Sequence, residues 1–195
     1  MSDFGIEIPP DQRDHLAAYY NFLLRWNDRL HLVAPCSPEE FAIRHVLESL
    51  LLTNHLPANA TIADIGSGAG LPIIPCMIAR ADLETTLIES SQKKSVFLRE
   101  AINQLGLKRS TIICKPFEEI PTPNVAFVSS RALDDFLAKV GALVKWSPAN
   151  ATLLLFGGTS LRDELQKIPC DFDETLIPQS TQRFLFVVKH DPNVR

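Results

Sequence analysis

The stretch TIADIGSGAGLP, residues 61–72, restricts the fold more than any other part of the chain. A strand-like apolar run carries one acid, Asp64. Glycines follow at 66, 68 and 70, and Leu71 and Pro72 lead into a further apolar segment. A strand that opens through glycines into a helix is where open α/β sheets bind their ligands, outside the carboxyl ends of the strands. Glycines there let backbone N–H groups approach a ligand with no Cβ in the way.

The rest of the chain supplies the sheet that such a loop requires. Strand-like runs recur at 61–65, 84–89, 110–114, 124–129 and 151–156, and helical stretches lie between several of them, at 72–80, 91–105 and 132–146. Gly106 suits the cap of the second of these helices. Strand–helix alternation implies parallel strands joined by right-handed crossovers. The last two runs, 173–178 and 183–189, leave no room for a crossover helix, so they are expected to pair antiparallel at one edge. The fold class is therefore α/β: a Rossmann-like, doubly wound, mostly parallel sheet with an antiparallel edge pair.

Ahead of the first strand, Leu16, Tyr20, Leu23, Asn27 and Leu30 recur at helical spacing, which predicts a helix over 10–33 that Pro35 stops. Tyr20 and Trp26 read as core. In S-P-E-E at 37–40, Ser37 can cap, Pro38 suits a first turn and Glu40 can reach back as a capping-box partner, so a second helix should run to about 55. Residues 1–57 are expected to form an N-terminal helical extension packed on a core domain of residues 58–195.

Composition narrows the function classes. Hydrophobic residues at 46% and charged residues at 22% suit an ordinary globular domain, with no apolar run long enough to span a membrane. The acidic start, MSDFGIEIPPDQRD, lacks a signal peptide's basic and apolar parts, so a cytoplasmic location is expected. Cys36, Cys76, Cys114 and Cys170 have no C-x-x-C spacing and no zinc site is expected. The net charge of −4 is unevenly spread: residues 92–116 carry Lys93, Lys94, Arg99, Lys108, Arg109 and Lys115 against Glu100 alone. That block reads either as a solvated helix face or as a phosphate-facing patch.

The ligand follows from two acids. Glu89 ends the second strand run, 19 residues beyond Gly70, where a carboxylate can accept hydrogen bonds from both ribose hydroxyls or cap the helix that follows. The loop spacing is G-x-G-x-G rather than the dinucleotide G-x-G-x-x-G, and Asp64 stands two residues before the first glycine. A carboxylate there repels a pyrophosphate and attracts an ammonium, which disfavours a nicotinamide dehydrogenase. S-adenosylmethionine offers an ammonium, a ribose and an adenine without phosphate, and this acid–glycine arrangement resembles that of class I methyltransferases.

Four stretches narrow the resemblance further: LLRWNDRLHL at 23–32, RHVLESL at 44–50, DIGSGAGLPIIP at 64–75 and ESSQKKSVFL at 89–98, extended by FEEIP at 117–121 and SSRAL at 129–133. In order and spacing they resemble the glucose-inhibited division protein B family, methyltransferases acting on guanine N7 of small-subunit (16S) ribosomal RNA. The resemblance implies S-adenosylmethionine as cofactor, 16S ribosomal RNA or the small ribosomal subunit as partner, no membrane or metal, and a monomer. It places Asp64, Gly66, Gly68, Gly70, Leu71 and Glu89 at the cofactor, with Phe117 and Glu118 beside the adenine. Arg131 stands at the mouth of the site, counted with both the cofactor-binding and the RNA-binding residues, Lys93 and Lys94 face RNA, and His45 lies on the substrate side. The catalytic candidates are Arg131 and His45.

The chain departs from the family's usual residues at His31, Val33, Glu48, Pro116 and Gly157, and reads PIIP for PGIP at 72–75. Several of these are on the expected RNA side, which leaves open a retargeted or non-catalytic relative that binds cofactor or RNA. No N/D-P-P-Y/F motif of amino-group methyltransferases follows the fourth strand. Guanine N7 presents an in-plane lone pair, so its methylation needs alignment rather than a dedicated base. The Arg131 guanidinium can hold a phosphate bidentately, donate to guanine O6, or pair with Asp134 or Asp135.

Overall fold

The computed structural model describes residues 2–131 and 135–190. Five parallel strands, β1 (Thr61–Ile65), β2 (Glu84–Ile88), β3 (Ser110–Ile113), β4 (Phe127–Arg131) and β5 (Thr152–Gly157), join β6 (Cys170–Leu176) and β7 (Phe184–His190) in one sheet of order β3-β2-β1-β4-β5-β7-β6. β7 runs antiparallel to both β5 and β6, as the missing crossover requires. β6 begins at Cys170, earlier than its apolar pattern suggests, because an outermost strand is polar. Asp171, Asp173 and Glu174 lie along it, and charge on a free edge discourages pairing with another chain.

Helix α1 (Pro10–Leu30) opens on a proline and closes at His31, whose φ of 48° is left-handed. The His31 N–H donates to Asn27 O, and the Asn27 amide exchanges two bonds of 3.0 Å with the Val33 backbone. This cap ends the helix before Pro35 is reached, which corrects the expected span to 33. Helix α2, residues 38–55, starts where Ser37 Oγ accepts from Glu40 N at 3.1 Å. Glu40 does not complete a capping box; its carboxylate takes Arg44 instead, at 2.6 Å. Within α2 the α-helical turn Pro38–Phe41 widens to a π-helix over Ala42–Leu47, returns to α at Glu48–Leu50 and tightens to 3-10 over Leu51–His55.

The remaining α-helices among the described residues are α3 (Ile73–Ala79), α4 (Gln92–Gln104), α5 (Phe136–Trp146) and α6 (Thr159–Leu165). The seven-residue α6 is too short to show a helical period and was not legible in the sequence. The start expected for α5, at 132–134, lies outside the described residues, and Asp134 with it.

Side chains alternate across the sheet, and the two faces have separate cores. Leu154 and Phe156 face the layer formed by α1–α4, while Leu153 and Leu155 face α5 and α6. The first layer includes Leu16, Tyr19, Phe22 and Leu23 of α1, so this N-terminal helix shares a core with the sheet. Phe97 of α4 is fully buried there, with its ring 5.7 Å from Phe22 and 5.9 Å from Trp26. Removing a buried phenyl ring costs about 3–5 kcal/mol. Phe97→Ala is expected to lower the unfolding free energy by that amount in urea titration; a loss below about 1 kcal/mol would show that α1 and α4 contribute little to the fold.

Candidate active site

Strand order reverses between β1 and β4, with β2 and β3 on one side and β5, β7 and β6 on the other. The loops leaving β1 and β4 part in opposite directions, and a crevice opens between them. A cleft of about 280 Å³ lies there. Its walls are Gly66–Ala69 and Leu71 of the glycine loop, Glu89 and Ser90 after β2, Lys94 of α4, Arg131 of β4 and Lys139 of α5. Leu32, Val33 and His45 close it from the N-terminal segment.

The three glycines have different tasks. All have positive φ, at 69°, 51° and 83°. A Cβ on Gly70 would stand 2.3 Å from Ile74 Cδ1, so this glycine is required by α3 rather than by a ligand. A Cβ on Gly68 would meet only Gly66 O, at 3.6 Å, within the cleft wall. The open side of Gly68 is where a ligand can approach the backbone.

Hydrogen bonds hold the loop from three directions. Gly66 N and Ser67 N both donate to Ile88 O, at 2.9 and 3.2 Å. The Glu89 carboxylate accepts from Gly68 N at 2.8 Å on Oε2 and from Ser91 N at 2.7 Å on Oε1. Glu89 is thus both a loop brace and a partial cap for α4, and each oxygen keeps lone-pair capacity towards the cleft it lines. The third support is Tyr19 of α1, fully buried, whose hydroxyl donates to Ala69 O at 2.6 Å. Burial pushes its phenol far above the ordinary range. Nothing in the helical spacing separates Tyr19 from an ordinary core residue.

Asp64 lies beneath the loop, 1% exposed. Its Oδ1 accepts from Ser129 Oγ at 2.7 Å, across the β1–β4 register that sets the two residues opposite each other. Its Oδ2 is buried without a partner. Burial raises the carboxyl to about 7, against the lowering effect of Ser129 and Ser67. An orphaned carboxylate oxygen under an open glycine backbone suits an ammonium-bearing ligand.

Opposite stands a polar cluster built on the π-helical turn. Glu48 N–H reaches back to Ile43 O, one residue further than in an α-helix, and Arg44 O accepts from Arg131 Nη2 at 2.7 Å. The same Nη2 lies 3.2 Å from His45 Nδ1. Burial, with Arg131 and Arg44 nearby, lowers His45 to about 4, so the ring is neutral at physiological pH and Nδ1 can accept. Glu48, 1% exposed, lies 3.6 Å from Arg131 Nη2 through Oε2 and 2.7 Å from Arg183 Nη2 through Oε1. Burial raises its carboxyl and the arginines oppose that rise. From sequence Glu48 stands out only as a departure from the family's usual residue, and Arg183 reads as a strand-end cation with no mark of a role.

The remaining candidates are dispersed. Phe117 is buried edge-on against Trp146, with ring centroids 5.5 Å apart, and does not line the cleft. Glu118 pairs at 3.7 Å with Lys139, which does. Lys94 lines the cleft while the adjacent Lys93 is exposed beside it. The basic block at 92–116 is not one patch. α4 carries the chain from the carboxyl ends of the strands, where the cleft lies, to their amino ends, where Lys108 and Arg109 precede β3 and Arg109 lies 3.8 Å from Glu84. Among the described residues no cluster of three or more His, Cys, Asp or Glu could hold a metal ion, and no helix is long and apolar enough to cross a membrane.

A family model described as rRNA small subunit methyltransferase G matches residues 12–186. Curated relatives named ribosomal RNA small subunit methyltransferase G include one from Neisseria meningitidis, 35% identical over 74% of this chain and 72% of that one. Another, from Aromatoleum aromaticum, is 32% identical over 88% of this chain and 84% of the relative. Among solved structures, a SAM-dependent methyltransferase from Aquifex aeolicus superposes with a TM-score of 0.62 at 16% identity, covering 78% of this chain and 93% of that one. A ribosomal protein L11 methylase from Lactobacillus delbrueckii subsp. bulgaricus gives 0.61 at 11%, covering 75% and 78%. These two likenesses bear on the fold, a Rossmann-like methyltransferase architecture.

The raised Asp64 carboxyl predicts how stability varies with pH. Between its ordinary value of 3.8 and about 7 the unfolded chain releases a proton that the folded chain keeps. Stability therefore falls as pH rises through that window, by roughly 4 kcal/mol, and this contribution is constant above it. Asp64→Asn is expected to remove this fall, seen as a wild-type minus variant difference in urea unfolding between about pH 4 and 8. A flat difference would mean that Asp64 is already ionised beneath the loop.

Proposed function

The chain belongs to the rRNA small subunit methyltransferase G family, and we propose that it transfers a methyl group from S-adenosylmethionine to N7 of a guanine in small-subunit (16S) ribosomal RNA. The observation that carries the reading is the unpartnered Asp64 Oδ2 beneath the open backbone of Gly68, at the point where strand order reverses. S-adenosylmethionine, when bound, supplies a methyl group activated by its sulfonium.

Each residue then has a defined task. Asp64 attracts the ammonium of the amino-acid part, directly or through water, and its own proton leaves as that positive charge arrives. The ribose hydroxyls are taken by the free lone pairs of Glu89, while Gly68 and Leu71 form the wall. Phe117 and Glu118 support the adenine side from behind, through Trp146 and Lys139. Lys94, with Lys93 next to it, attracts the RNA backbone. At the mouth, Arg131 orients the guanine through O6 or the neighbouring phosphate.

No proton has to leave guanine before N7 reacts, because the lone pair lies in the ring plane. This agrees with His45, which is neutral and turned to Arg131 as an acceptor rather than poised to carry a proton. Rate enhancement comes from holding nucleophile and methyl in line.

Incubating the protein with tritiated S-adenosylmethionine and unmodified small subunits is expected to label one guanine; incorporation elsewhere or none would overturn the assignment. Arg131→Ala is expected to leave cofactor affinity within about twofold in calorimetry and to slow methyl transfer roughly 10- to 100-fold, the scale of one charge-assisted hydrogen bond. Equal rates in the two proteins would remove Arg131 from the mechanism.

A further inference from the structure

Three segments distant in sequence meet at one buried carboxylate. Glu48 follows the π-helical turn, Arg131 ends β4 and Arg183 immediately precedes β7. Side-chain exposures of 1% for Glu48, 16% for Arg131 and 33% for Arg183 form a gradient from core to rim. A buried carboxylate is costly unless its charge is answered, and here one oxygen faces each guanidinium. The two cations would repel each other without it.

Arg131 receives the tighter constraint. Its Nη2 is held by Arg44 O and His45 Nδ1, with Glu48 Oε2 beyond, and its guanidinium carbon lies 5.7 Å from the centre of the Phe156 ring. Its Nη1 is buried with no hydrogen-bond partner, on a residue that lines the cleft. An anchored guanidinium with one unspent end is what a directional contact to a base or phosphate requires.

We propose that Glu48 is a positioning residue: its carboxylate separates Arg131 from Arg183 and fixes the Arg131 guanidinium in the orientation that methyl transfer uses. The inference rests on the reading of Arg131 as the substrate-side residue. Glu48 itself is buried and does not line the cleft. Its effect must therefore pass through Arg131, which distinguishes positioning from general support of the fold.

A double-mutant cycle reads this directly. Single-turnover methyl transfer at saturating S-adenosylmethionine and RNA is measured for wild type, Glu48→Gln, Arg131→Ala and the double variant, with cofactor affinity and melting temperature alongside. Glu48→Gln is expected to slow transfer about tenfold in the wild-type background and less than about twofold in the Arg131→Ala background, with cofactor affinity unchanged. Losses that multiply would assign Glu48 a merely structural role and overturn the inference. Unchanged transfer by Glu48→Gln beside a slow Arg131→Ala would overturn this inference alone. An unchanged rate in Arg131→Ala would overturn the reading of Arg131 and this inference with it. If Glu48→Gln does not fold, Glu48→Asp takes its place in the cycle, keeping the charge but withdrawing it by one methylene, and the same coupling or its absence decides.

Discussion

The pairing of β1 with β4 is the constraint on which the rest of the molecule depends. It places two parallel strands side by side whose onward connections must part, and the gap between those connections is the cleft. The same register sets Asp64 opposite Ser129 and Ile65 opposite Ser130, so an acid can be buried between strands with one oxygen already satisfied. The second oxygen is left buried without a partner. A site of this kind is assembled by strand order first and by side chains afterwards.

Around that gap the protein handles buried charge in two ways. Beneath the glycine loop, burial and the nearby charge of Glu89 raise the Asp64 carboxyl well above the ordinary range, against the lowering effect of two serine hydroxyls. Across the cleft, a carboxylate is surrounded by guanidiniums and serves as their common counter-ion. The first arrangement leaves a carboxylate oxygen without a partner; the second draws two guanidiniums to one anion. His45 belongs with the second, because burial and its cationic neighbours keep the imidazole neutral and able to accept.

The N-terminal helices are part of the site as well as of the core. Tyr19 carries a hydroxyl from α1 to the carbonyl of Ala69, and the π-helical turn of α2 brings Arg44 O, His45 and Glu48 to one guanidinium. A regular α-helix would engage the Arg44 carbonyl with Glu48 N–H, which here reaches Ile43 O instead. Widened turns of this sort recur at functional sites because they redirect polar groups without breaking the helix.

The sequence by itself determined the α/β architecture and the antiparallel edge, since strand–helix alternation and a missing crossover leave few topologies. It also marked the glycine loop after β1 as a place where a ligand can approach the backbone, and it drew attention to Asp64, Glu89, Arg131 and His45. These signals are local: a period, a spacing, a residue type at an element's end. Only the tertiary structure decided that Gly70 answers to Ile74, that Lys108 and Arg109 lie at the opposite end of the strands from Lys94, and that Tyr19 braces the glycine loop while Glu48 meets Arg131 and Arg183. Each of those depends on which distant segment the chain brings alongside, and a helix that carries neighbouring residues to opposite ends of a sheet's strands leaves no mark of that distance in their order.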